Sequence, residues 1–258
     1  MAKIIAVANQ KGGVGKTTTV FNTAAALIKS GKKVLVIDFD PQANLTEYLG
    51  CEFTSDTITV FDLLMDGVGG QPVRTLEAIQ TSSEQVDYIP SSIALSGAEM
   101  SLVNVMCREM ALKRIFTPDV LSRYDYILID CLPSLGILLV NALAAADQVL
   151  IPVQTQKFAL DGLNGLLGII HMVKGNLNSN LEILGILLTM ADNTKMSRAV
   201  EEALRSGYAD LNIFRSKIGR SIEAANSSFV QKSLLAIGGK LGKQYRDVAE
   251  ELLEMERA

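Results

Sequence analysis

The sequence has no tryptophan, a single histidine, six prolines, and aromatic residues at only 5% of its 258 positions. A core with few large rings is built mostly from Leu, Ile, Val and Ala, which suits a buried parallel sheet covered by helices. Cysteine is scarce as well. Cys51, Cys107 and Cys131 are odd in number and form no C-x-x-C pair; this argues against a disulfide framework or a zinc site and for reduced thiols in a cytoplasmic protein. Long apolar runs are missing. The longest, "GILLVNALAAADQVLIPV", is interrupted by Asn141, Asp147 and Gln148, so no bilayer span is expected. Gln10 and Lys11 interrupt the N-terminal apolar run too early for a signal peptide. Repeats, low-complexity tracts and Pro/Gly/Ser-rich linkers are absent too, and residues 1–258 read as one domain.

What is present is a regular alternation. "KIIAVAN" (3–9), "KVLVIDFD" (33–40), "VDYIPSS" (86–92), "YDYILID" (124–130), "QVLIPV" (148–153) and "EILGILLTM" (182–190) read as six buried strands. Helical spacing follows the first, in "TTTVFNTAAALIKSG" with Gly31 as its stop. Further helical patterns fall in "TVFDLLMDG" (59–67), at about 95–122, in "ALDGLNGLLGIIHMV", at about 196–206, and in "KQYRDVAEELLEMER". Strands alternating with helices predict a doubly wound, mostly parallel α/β sheet, whose ligands bind beyond the carboxyl ends of the strands.

One loop at such an end carries chemistry. "NQKGGVGKTTT" (9–19) fits G-x-x-x-x-G-K-[ST], with Gln10 at the first glycine position. Gly12, Gly13, Val14 and Gly15 form a loop whose backbone N–H groups can approach phosphate oxygens, and the following helix offers its positive end. Lys16 reaches the outer phosphates of a nucleoside triphosphate, Thr17 supplies a hydroxyl for Mg²⁺, and Thr18 continues the turn. Asp130, after four apolar residues, stands where the Mg²⁺ site needs a carboxylate. Asp38 and Asp40 close the second strand, where a carboxylate lies near the γ-phosphate and orients the attacking water.

These segments, "KGGVGKTTT", "VIDFDPQANLT" and "YDYILIDCLPSLG", together with "LSGAEMSL", "ALDGLNGLL", "LLTMADN" and "EAANS", resemble the ParA family of partition ATPases, in the deviant-Walker group that also holds MinD. The likeness runs along nearly the whole chain. It implies ATP with Mg²⁺ as cofactors and a P-loop ATPase activity. It implies Lys11 contacting the nucleotide of the other subunit in an ATP-sandwich homodimer, and Gly12 at the close dimer contact. It makes Asp40 the catalytic carboxylate and places Asn44 and Asp130 beside the switch regions. Two lysines in one loop thereby acquire separate tasks, since two facing triphosphates bring together more negative charge than one lysine offsets. Departures occur at Leu132, where the family has proline, and around Gly219. In "TMAD" (189–192), Met190 stands where a guanine-type T-K-x-D motif has lysine.

The chain carries −4 overall, but 211–246 holds Arg215, Lys217, Arg220, Lys232, Lys240, Lys243 and Arg246 against the single acid Glu223, a local +6. Such asymmetry predicts a basic face, and a dimer doubles it into a stripe for duplex DNA phosphates, independent of sequence and sensitive to salt. Arg215, Lys217, Arg220, Lys240 and Lys243 are the candidate DNA contacts. The resemblance adds nonspecific double-stranded DNA, a ParB-like activator protein and a cytoplasmic, nucleoid-associated place. No membrane is expected as a partner: the terminal helix is acidic at Glu250, Glu251, Glu254 and Glu256, unlike the basic amphipathic helix of a MinD-like protein. The alternatives are that MinD-like positioning ATPase and a P-loop synthetase that activates a carboxylate with ATP.

Overall fold

The computed structural model describes residues 1–156 and 159–256 and, of these, every side chain except those of 159–161. Eight strands form one sheet: β1 Lys3–Val7, β2 Val34–Phe39, β3 Gln80–Thr81, β4 Asp87–Ile89, β5 Tyr126–Cys131, β6 Gln148–Gln154, β7 Glu182–Ala191 and β8 Ile213–Gly219. Their order is β3-β4-β2-β5-β1-β6-β7-β8, and all neighbours are parallel except β3 against β4. The expected doubly wound sheet is present. Two strands were not foreseen: β3 is two residues long, and β8 lies inside the basic segment, where charge masks its alternation.

The main helices are α1 Lys16–Lys29, α2 Asn44–Tyr48, α3 Val60–Val68, α4 Ile137–Ala145, α5 Ala159–Asn176, α6 Lys195–Gly207, α7 Glu223–Phe229 and α8 Gly239–Met255. The strand residues divide by parity. Ile4 and Ala6 of β1, Leu35 and Ile37 of β2, and Ile127 and Ile129 of β5 belong to one core layer, together with α3, α4 and α5. Ile5, Val7, Val34, Val36, Tyr126 and Leu128 face the other, beneath α1 and α8. Burial on both faces explains why these strands read as continuous apolar runs. On α1, Val20, Phe21, Ala24 and Leu27 make the inward stripe, and the chain leaves at Gly31 with φ +81°.

Helix α4 gave no amphipathic signal because nearly all of it is buried, and an element apolar all round has no stripe to detect. Its Asn141, read as an interruption of a bilayer span, is fully buried. It accepts from the Leu112 amide at 3.1 Å and donates to the Arg108 carbonyl at 3.0 Å. Those bonds pin down the segment where helical patterns were expected at about 95–122, which breaks into short pieces. It consists of short turns at Ile93–Gly97, Ala98–Ser101, Arg108–Met110, Leu112–Ile115 and Pro118–Arg123, with Cys107 at φ +53°. The C-terminal helix packs as expected, burying Leu241, Tyr245, Val248, Ala249 and Leu252; Arg257, the end of the helical pattern, lies outside the described residues.

Candidate functional site

The carboxyl ends of β1, β2 and β5 meet at one point, because β5 pairs with both of its neighbours there: Val7 and Asp38 each stand opposite Asp130. From β1 the chain turns through Asn9. The Asn9 side chain donates to the Pro152 carbonyl at 2.7 Å and accepts from the Lys11 amide at 2.9 Å, clamping the loop's start. Gly13 and Gly15 have φ of +71° and +87°, and a Cβ at either, or at Gly12, would meet nothing within 4 Å. The loop therefore has the glycine-only backbone and the open inner face of an anion cradle. Val14 turns its side chain into the core, and its carbonyl accepts from the Thr189 hydroxyl at 2.8 Å.

Lys16, buried at the start of α1, donates from Nζ to the Lys11 carbonyl at 3.2 Å. Burial pulls its ammonium below the ordinary lysine value, while Asp130, Cys131 and Asp40 oppose that shift. Gly12, Gly13, Lys16, Thr17, Asp40 and Asn44 are among the residues lining a cleft of about 730 Å³, with Gly15 and Thr18 completing the loop side. Lys11 is not among the lining residues.

The aspartates in and just after β2, Asp38 and Asp40, separate in role. Asp38 is buried and accepts from the Thr46 amide at 2.8 Å and the Thr46 hydroxyl at 2.7 Å. Burial pushes its carboxyl up to about 6, against the pull of those donors. It anchors α2, and Thr46 in turn accepts from the Ser91 amide at 2.8 Å. Asp40 alone reaches the cleft, with Oδ1 accepting from the Gln42 amide at 2.9 Å.

Asp130 is fully buried behind the loop, and its Oδ1 has no hydrogen-bond partner. Burial first, then the charge of Asp38, raise its carboxyl well above the ordinary range; the Thr17 hydroxyl and Lys16 pull the other way. An orphaned buried carboxylate oxygen is costly, and a cation resolves it. Thr17 beside Asp130 supplies the hard oxygen donors that Mg²⁺ takes alongside phosphate and water. The donor set therefore fits the implied metal.

The basic segment departs most from expectation. Arg215 pairs with Glu254 at 2.5 Å and with Glu251 at 3.5 Å, and Lys217 pairs with Glu201 at 2.6 Å. Glu251 is not part of an acidic outer face; it is 4% exposed and accepts from the amides of Arg215 and Ser216. A window of sequence cannot include acids that α6 and α8 bring alongside, so the local +6 overstates the free charge. Arg220, Lys240 and Lys243 are exposed and, among the described residues, have no ion pair. The sequence reading also missed the far wall of the cleft, formed by Tyr48, Ser228 and Phe229. Only "EAANS" pointed there.

A glycine loop leaving the central strand, a lysine at the head of the next helix and a buried carboxylate on the adjoining strand define a phosphate-loop nucleotide-binding domain. Comparison with known proteins narrows the class. A family model described as an AAA domain matches residues 2–183. The chain is 41% identical to the sporulation initiation inhibitor protein Soj of Bacillus subtilis, over 98% of both chains. It is 39% identical to the chromosome partitioning protein ParA of Caulobacter vibrioides, over 99% of this chain and 95% of that one. Cyanothece McdA, solved as a point variant in complex with ATP, superposes with a TM-score of 0.87 at 27% identity, covering 98% and 96% of the two chains. A Mycobacterium smegmatis structure named cobyrinic acid a,c-diamide synthase, with bound ATP analogue and magnesium, gives 0.86 at 34%, covering 100% and 97%. The chain belongs to the Soj/ParA family of chromosome-partitioning ATPases.

Proposed function

We propose that this protein binds ATP and Mg²⁺ in the cleft, closes into a sandwich homodimer, and in that state holds duplex DNA without sequence preference. The loop amides of residues 12–18 and Lys16 hold the phosphates, Thr17 and Asp130 serve the metal, and Asp40 positions the water that attacks the γ-phosphate. Bound Mg²⁺ supplies positive charge against the phosphate oxygens. The observation that carries the reading is the pairing of a complete phosphate cradle with a lysine, Lys11, that does not line its own cleft. That lysine is left to reach a partner's nucleotide. Hydrolysis removes the γ-phosphate between the subunits, the dimer loosens, and DNA is released; a ParB-like protein stimulates that step. We read residues 1–258 as a single domain acting on the nucleoid in the cytoplasm. Arg220, Lys240 and Lys243 are its principal phosphate contacts. Among the described residues no helix is long and apolar enough to cross a membrane.

The test is retention of random-sequence duplex DNA with ATP, with ADP and without nucleotide, at two salt concentrations. Retention with ATP alone, weakened by salt, is the expected result; no retention in any state overturns the DNA reading. The likeness to the cobyrinic acid a,c-diamide synthase structure favours a second reading, ATP-dependent amidation of a small carboxylate. That reading predicts turnover dependent on the carboxylate and an amine donor, and indifferent to DNA.

A further inference from the structure

The apolar layer beneath α1 and α8 is interrupted by a cluster of polar groups. Thr19 and Asn22 of α1, Tyr48 of α2, Ser227 of α7 and Tyr245 of α8 meet in it, each residue 2% exposed or less. The Tyr245 hydroxyl is hydrogen-bonded to Thr19 Oγ1 at 3.4 Å, and Tyr48 is hydrogen-bonded to Ser227. The Asn22 side chain donates to the Thr18 carbonyl at 2.8 Å and accepts from the Leu234 amide at 2.7 Å. Thr23, one turn beyond Thr19 on the same face of α1, is 1% exposed, and its hydroxyl has no hydrogen-bond partner.

The cluster has a nucleotide end and a DNA end. Thr19 lies in the first turn of α1, directly after Lys16, Thr17 and Thr18, and its amide donates to the Gly15 carbonyl at 2.9 Å, so it moves with the phosphate cradle. Tyr48 closes α2, whose first residue, Asn44, lines the cleft. On the other side, Tyr245 shares α8 with the exposed cations Lys240 and Lys243. A Cβ at Gly242 would collide with the Leu234 carbonyl oxygen, so α8 crosses that backbone with no side chain between them. Asn22 holds the same Leu234 by its amide. Helix α8 is thus seated at Gly242 and touched by α1 at Tyr245. Buried hydroxyls are costly unless paired, and which pairs form is therefore consequential. At 3.4 Å the Thr19–Tyr245 bond is longer than an ordinary hydroxyl pair and has room to strengthen.

We propose that Tyr245 is a positioning residue that couples the two ligands: phosphates drawn onto the first turn of α1 tighten the Thr19–Tyr245 bond, and that bond sets α8 and with it the placement of Lys240 and Lys243. This rests on the ATP-gated DNA binding proposed above. The bond acts through a difference, being stronger with nucleotide bound than without, because only a difference between states shifts an equilibrium. Coupling of this kind is reciprocal. The factor by which ATP strengthens DNA binding is the factor by which DNA strengthens ATP binding.

The test measures affinity for random-sequence duplex DNA with and without a non-hydrolysable ATP analogue, and affinity for the analogue with and without DNA. It uses the wild-type protein, Tyr245→Phe, Thr19→Val and the double variant. Tyr245→Phe keeps the ring that fills the core and removes only the hydroxyl. It should bind the analogue alone as wild type does. Its coupling factor should fall about fivefold, the worth of one buried hydrogen bond, and by the same amount in both directions. The double variant should lose no more coupling than either single one. A wild-type coupling factor in Tyr245→Phe overturns the proposal. So does a loss of DNA affinity that is equal with and without the analogue, which would make the hydroxyl part of the packing of α8 and nothing more. Additive losses in the double variant overturn the pairing with Thr19. Wild-type protein whose DNA affinity ignores the analogue would remove the gating itself, and this proposal with it.

Discussion

The phosphate loop and the basic segment both concentrate basic and polar side chains, yet the structure treats them in opposite ways. In the loop, charge is placed by backbone within a few residues: a glycine at φ +87° and a helix start set Lys16, and a strand end sets Asp40. In the segment from Arg215 to Arg246, charge is placed by partners on other elements: Glu251 and Glu254 take up Arg215, and Glu201 takes up Lys217. Local motifs report function directly, whereas summed charge reports it only after subtraction of what tertiary structure brings alongside.

Substitutions sharpen that contrast. The largest effect belongs to the loop and its facing strand end. Lys16→Ala should abolish measurable ATP binding. Asp40→Ala should bind ATP as wild type while single-turnover hydrolysis falls by about 10²-fold or more. Normal hydrolysis by Asp40→Ala would remove the functional distinction drawn between Asp38 and Asp40.

An intermediate effect is expected at Glu251, where the basic segment is held in place. Burial pushes its carboxyl up, but the amides of Arg215 and Ser216 and the Arg215 guanidinium outweigh burial, so the group titrates below its ordinary value. A depressed carboxyl contributes stability at neutral pH that is lost as pH falls through the folded-state value. Glu251→Gln should cost about 1–3 kcal/mol at neutral pH, seen as a lower denaturant midpoint. The gap from wild type should close on acidification below the carboxylate range. A pH-independent gap would mean that the amide donors, not the charge, are what matters.

The smallest effects distinguish paired from unpaired cations. Lys240→Ala and Lys243→Ala should each weaken ATP-dependent DNA binding and lower the salt slope by about one. Lys217→Ala, already balanced by Glu201, should change the slope less. Equal slopes for all three would show that a DNA phosphate displaces the ion pair.

The same contrast explains which parts of the molecule were legible. The strands were visible because burial on both faces makes them uninterrupted, and the cradle because its geometry needs glycine at Gly13 and Gly15. Lys16, Thr17, Asp40 and Asp130 stood out as candidates for the same reason, each sitting next to a strand or helix end. Helix α4 was invisible because complete burial erases its period, and β8 because Arg215 and Lys217 break its apolar pattern. The far wall of the cleft joins Met190 and Phe229 from two elements, and only "TMAD" and "EAANS" pointed toward it. Spacing alone made Asp38 and Asp40 equivalent in "VIDFD", and the family resemblance singled out Asp40; Thr46, eight positions beyond Asp38, is what holds Asp38 away from the cleft.

The bond between Thr19 and Tyr245, at 3.4 Å, closes a span of 226 positions. Helix α1, which follows the phosphate loop, has α8 beside it on the same face of the sheet. On a ribosome the loop is made early, and that neighbouring helix emerges only after the last described strand, β8. Until then the side of α1 that meets α8 has no partner, and contacts of such long separation form late. A nascent chain thus carries the whole nucleotide motif well before the helix that buttresses it exists.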